Sequence, residues 1–212
     1  MKALALAILC LLGCAATAQN APKPPYLMEG YGDLHHPVST AVPEAQQFFD
    51  QGLRLVYAFN HEEAARSFEH AAELDPKLAM AWWGVAFAVG PNYNMPVDPE
   101  HEKVAADAID KARALAASAP QVEQDYIDAL AKRFTHQASP DYHALDKAYA
   151  DAMRALAAKY PDDPDAATLY ADSLMNLHPW KLWKPDGSPG EDTAEIVSTL
   201  EATLRRYPHH IG

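Results

Sequence analysis

Ten histidines stand out in this chain of 212 residues, among them the adjacent pairs His35-His36 and His209-His210. Imidazole is the commonest protein ligand for metals, and a histidine-rich chain invites copper or zinc. The spacing argues against a shared ion. No HExxH sequence and no tight i, i+4 histidine pair occurs. His61, His136 and His178 fall on different helical units. Neighbouring helices pack about 8–10 Å apart, whereas a zinc–nitrogen bond is about 2 Å. The two histidine pairs could meet only if the two ends of the chain approached each other. No metal and no cofactor is therefore expected, although a metal- or small-ligand-binding accessory protein that uses clustered histidines stays open as the alternative.

Catalysis has little to work with. There is no G-x-S-x-G elbow, P-loop or dinucleotide-binding glycine pattern. The carboxylates of "LDP" and "PDDPD" stand at expected helix starts, where the helix dipole accounts for them. Both cysteines, Cys10 and Cys14, lie near the N terminus. No catalytic residue is expected, and the chain does not read as an enzyme.

Those N-terminal residues carry an address. Met1-Lys2 is followed by an apolar run from Ala3 to Leu12, and Ala16-Thr17-Ala18 fits a signal-peptidase site with cleavage before Gln19. The run is shorter than the roughly 20 residues a bilayer span needs. Residues 1–18 thus read as a signal peptide, which places the protein in the periplasm or at the outer membrane. Leu11-Leu12-Gly13-Cys14 also resembles a lipoprotein box, which would make Cys14 a lipid-bearing N terminus. The two processing routes remain alternatives. In either case the mature chain has no disulfide. The formal net charge of −12, with no basic run longer than Arg205-Arg206, excludes nucleic acid and anionic lipid as natural partners.

Residues 19–44, "QNAPKPPYLMEGYGDLHHPVSTAVPE", form a proline-rich extended leader with Tyr26, Leu27 and Tyr31 free to pack on the helical region after it. From residue 45 to 212 the apolar residues recur with helical period. An all-α domain of eight helices in about four antiparallel pairs is expected. Asp98-Pro99, Ser139-Pro140 and Asp163-Pro164 mark helix starts, as do Asp75-Pro76 and the boxes Asn60/Glu63 and Asp192/Glu195.

The stretch "AQQFFDQGLRLVYAFNHEEAARSFEHAAELDPKL", Ala45 to Leu78, is 34 residues long. It resembles a tetratricopeptide repeat (TPR): Gly52 and Ala64 let two helices approach, Phe68 fills the gap, and Pro76 closes the unit. With "AMAWWGVAFAVGPNYN" and "LYADSLMNLHPWKLW", the chain resembles a family of exported bacterial TPR proteins of unassigned biochemistry. Family members usually run longer, so the resemblance implies a fragment or truncated form. It also implies a TPR-like α-solenoid scaffold without naming a reaction.

In such a stack the first helix of each pair lines a concave groove. Here that places Phe49, Leu53, Tyr57, Met80, Trp83 and Phe87 in it, while Trp82 takes the buried aromatic position. Enlarged turns inside the pairs would set His61, Asn92, Tyr93, Asn94, His178, Trp180 and Trp183 along one edge. The expected function is a scaffold that binds a protein or peptide through this groove and edge, unless the leader or further helices cover the groove.

Overall fold

The computed structural model describes residues 24–96 and 98–212. The expected signal peptide, residues 1–18, and Cys14 lie outside the described residues. Within these, the protein is all-helical: α1 (Pro43–Tyr57), α2 (His61–Leu74), α3 (Ala79–Val89), α4 (Pro99–Leu115), α5 (Gln121–Leu130), α6 (Tyr142–Lys159), α7 (Pro164–Leu177) and α8 (Thr193–Arg206). No helix among the described residues is long and apolar enough to cross a membrane.

Two Asp-Pro starts work as their chemistry demands. Asp98 accepts from the backbone N–H groups of Glu100 and His101, and Asp163 from those of Asp165 and Ala166, each with proline at the first helical position. The other start signals depart from expectation. Helix α1 begins at Pro43, two residues before Ala45. Asn60 stands at the N-cap of α2, but its side chain makes no capping bond. Asp75 closes α2 rather than opening α3, which follows the apolar run and starts after Leu78. There the Asp75 carboxylate accepts from the Thr40 hydroxyl instead. Asp141, not Ser139, caps α6. Asp192 is left-handed (φ 57°) and turns its carboxylate to His178, while Glu195 is taken by Tyr170 and Arg154.

Each helix packs on the next, and α1, α3 and α5 also touch in sequence. Phe68 of α2 is the wedge. A Cβ on Gly52 of α1 would lie 2.7 Å from its ring, and one on Gly84 of α3 only 2.3 Å. The absence of two side chains thus makes room for one aromatic ring. The neighbouring tryptophans face different ways and differ in burial. Trp82 is half-buried with the Lys111 ammonium 4.0 Å above its ring. Trp83 is 2% exposed, stacked on Phe87 and closed in by Phe49 and Tyr126.

The leader is part of this packing. Gln51 holds it as an amide clamp, accepting from the Met28 N–H at 2.6 Å and donating to the Tyr26 carbonyl at 3.0 Å. Gln46 repeats the device on the Val38 N–H and the His36 carbonyl. Asp50 accepts from the His36 N–H, Arg54 donates to the Gly32 carbonyl, and Glu123 of α5 accepts from the N–H and hydroxyl of Ser39. The extended backbone therefore satisfies its polar groups on helix side chains rather than in water.

Candidate functional site

Helix α7 turns a row of polar groups toward the inside of the protein. Asp165, Thr168, Leu169 and Asp172 recur at spacings of three, one and three residues, which places them on one helix face. Two sites share this face.

The first lies at the start of α7. Asp165 is 4% exposed, yet side chains from three separate stretches of the chain meet its carboxylate. Its Oδ1 receives the Tyr57 hydroxyl at 2.6 Å and stands 3.0 Å from His210 Nε2, while Oδ2 lies 2.7 Å from His36 Nδ1. Beside it, Asp163 accepts the Tyr126 hydroxyl at 2.7 Å. Burial works against the Asp165 charge, but the bonds from His210 and His36 prevail and hold the carboxyl well below the usual carboxylate range. Burial likewise opposes charge on His36, but Asp165 overrides it and raises the imidazole. Burial, reinforced by the neighbouring aspartates, raises the phenols of Tyr57 and Tyr126. The two ends of the described chain do approach each other here, which was the condition for the histidine pairs to meet. Only one member of each pair takes part: His35 is bonded to Asp50, and His209 is exposed.

The second site lies further along α7. A partly enclosed cavity of about 190 Å³ is walled by Val56, Tyr57, Phe87, Leu169, Met175 and Leu200, with His61, Asn92, Thr168 and Asp172 among its polar points. Among the described residues, five buried side-chain N or O atoms have no hydrogen-bond partner. Three of them belong to residues that border this cavity: both ring nitrogens of His61 and the Thr168 hydroxyl. Burial lowers the His61 pKa, against the neighbouring Ala88 backbone, which favours the charged form although the contact falls outside hydrogen-bonding geometry. Asp172 is half-buried by surface area, but its carboxyl lies deep in the chain. Burial pushes its pKa up against the Arg133 charge and the Asn176 amide bond. Buried polar atoms normally find partners, so three orphans around one cavity suit a ligand's complementary groups.

Of the expected groove residues, Phe49, Leu53, Met80, Trp83 and Phe87 are buried within the chain, and Tyr57 is half-buried against Asp165. The His36 ring packs on Phe49 and Tyr126, the two rings that close over Trp83. The turn residues divide. Tyr93 meets Trp180, whose N–H donates to the Tyr93 hydroxyl at 2.9 Å. Asn92 folds its own turn by accepting from the Asn94 and Met95 N–H groups, His178 pairs with Asp192, and Asn94 is exposed. Trp180 and Trp183 are 75% and 60% exposed, and Phe59 stands out beside His61. Asp163, Asp165, Thr168 and Asp172 carry the polar chemistry, yet no sequence motif marks them. Helix-start logic accounts for the first two, and the i, i+7 spacing of Asp165 and Asp172 is the signal that could have found the face.

Compared with family models, curated proteins and solved structures, the chain matches none of them.

Proposed function

We propose that this is an exported, TPR-like helical-repeat protein that binds a small ligand in the cavity between α1, α3 and α7. The observation that carries this reading is the set of orphaned polar atoms of His61 and Thr168 beside a mostly apolar cavity. The 34-residue repeat from Ala45 to Leu78 supports the TPR-like architecture, and the N-terminal apolar run supports export. A cavity of about 150 Å³ suffices for benzene, so the ligand class is a molecule the size of one ring. It carries an alcohol, phenol or amine group to meet Thr168, neutral His61 and Asp172.

Phenol, benzyl alcohol and benzylamine are the probes. At least one should raise the melting temperature, because a ligand at 100 times its Kd adds about 2.7 kcal/mol. The shift should disappear in Thr168→Leu, which fills the cavity with an apolar side chain. Failure of all three probes, or an undiminished shift in Thr168→Leu, would sink the proposal.

A second reading, the partner scaffold, rests on the exposed Trp180, Trp183 and Phe59 at the turn edge. A groove partner would have to displace the leader from Gln46, Asp50 and Gln51, so the edge is the better docking surface. Affinity capture from a periplasmic extract with wild type and a Trp180→Ala, Trp183→Ala variant tests it: equal capture of the same proteins rejects the edge.

A further inference from the structure

We propose that His36, Asp163, Asp165 and His210 form a binding site for one divalent transition-metal ion of the zinc type. Donor atoms of His36, Asp163 and Asp165 all lie within 4.8 Å of one another. His210 Nε2 stands 3.0 Å from the second oxygen of Asp165, outside that close group of three, and becomes a fourth donor only if its ring moves further in. An ion placed among them needs metal–ligand bonds of about 2.0–2.2 Å, and such a group reaches that by movements of an ångström or so. Two imidazoles and two carboxylates suit zinc and its neighbours, whereas magnesium and calcium take oxygen ligands.

Charge balance points the same way independently. Two carboxylates are brought together at the start of α7, and among the described residues no lysine or arginine forms an ion pair with either. Lys159, the cation at the edge of this cluster, is committed to Asp125. Among the described residues, the groups bonded to the Asp165 carboxylate are two imidazoles and a phenol, which are the partners a metal centre also uses. Tyr57 and Tyr126 each donate to one carboxylate, fixing its orientation while leaving further lone pairs for a metal. Entry is open, because His36, Asp163, Asp165 and His210 all border a solvent-connected cleft of about 690 Å³ together with Tyr160 and Lys159.

The site joins three separate stretches: the leader through His36, α7 through its aspartates, and the segment after α8 through His210. A bound ion would therefore pin the leader to α7. The metal site shares no donor with the small-ligand cavity, so either can fail while the other stands.

The experiment uses untagged protein stripped with a chelator and titrated with zinc, cobalt and magnesium salts by calorimetry. Zinc should bind at one equivalent and magnesium should not. Cobalt should give visible d–d absorption of a low-symmetry site. His36→Gln and Asp165→Asn should lose the stoichiometric binding, and Tyr57→Phe should weaken it about 10-fold. Circular dichroism checks that each variant folds. Should Asp165→Asn not fold, His36→Gln and His210→Gln carry the test, since neither residue lies in a helix. Hydrogen exchange at residues 26–40 should slow on zinc addition in wild type only. Absence of stoichiometric zinc binding overturns the proposal. So does binding that survives both histidine variants, since it belongs to the remaining histidines.

Discussion

Asp172 concentrates the tension between stability and function in one carboxyl. Burial raises its pKa, and the Arg133 charge and the Asn176 amide offset only part of that cost. A carboxyl raised above its unfolded value of 3.8 keeps its proton better in the folded state. The contribution of Asp172 to stability is therefore fully present below pH 3.8 and is lost as the pH rises through the folded pKa. Asp172→Asn removes the ionisable group and keeps an oxygen for Asn176. We expect it to unfold at higher urea than wild type at about pH 7, with the difference shrinking to nothing near pH 3. A variant no more stable than wild type at neutral pH would show that the site already solvates the carboxylate. If benzylamine is the probe that binds, the same substitution weakens it, because a carboxylate that costs stability is kept for what it holds.

Among the elements, the wedge of α2 between α1 and α3 decides the packing of the N-terminal half. Gly84→Ala places a methyl where the Phe68 ring sits, and Gly52→Ala does the same from the other side. Each should cost about 1–3 kcal/mol as overpacking, Gly84→Ala the more because its approach is closer. Urea midpoints measure this, and Gly84→Ala combined with Phe68→Leu should recover part of the loss. If Gly84→Ala unfolds like wild type, the ring moves aside and the wedge is not rigid. Half of this device was legible in the sequence: Gly52 and Phe68 fall at repeat spacing. Gly84 was hidden in "AMAWWGVAF", a run apolar on every side, where periodicity cannot tell a packed face from an open one. For the same reason the deeper burial of Trp83 than of Trp82 gave no signal. Helix starts were legible where proline and the apolar run agree, at Asp98 and Asp163, and misleading at Asp75, where the apolar residues begin three positions later. The sites were less legible still. Thr168 and Asp172 give no signal beyond their spacing from Asp165, because the residues across the cavity from them, Val56 and His61, lie about a hundred positions away, in α1 and α2.

At the scale of the whole molecule, the leader behaves as a structural element without secondary structure. Its carbonyl and N–H groups bond to Gln46, Asp50, Gln51, Arg54 and Glu123, so helix side chains substitute for the strand or helix it lacks. It also brings His36 over Phe49, Tyr126 and Asp165, which closes the aromatic cluster around Trp83. Loss of a clamp should therefore loosen the leader and the inner face of α1 together, while α8, which the leader does not touch through these bonds, stays intact. The test is Gln51→Ala, which unties Met28 and Tyr26 and leaves Ser67 without its amide donor. Removing a buried side chain with three such bonds should cost about 2–3 kcal/mol. Hydrogen exchange should speed up at Met28 and along residues 26–34, with helix α8 unchanged. If Met28 stays as protected as in wild type, the leader is held by its apolar contacts alone. If exchange instead rises equally across all eight helices, the leader is no separable strap but part of one cooperative core, and a partner could not displace it without unfolding the protein.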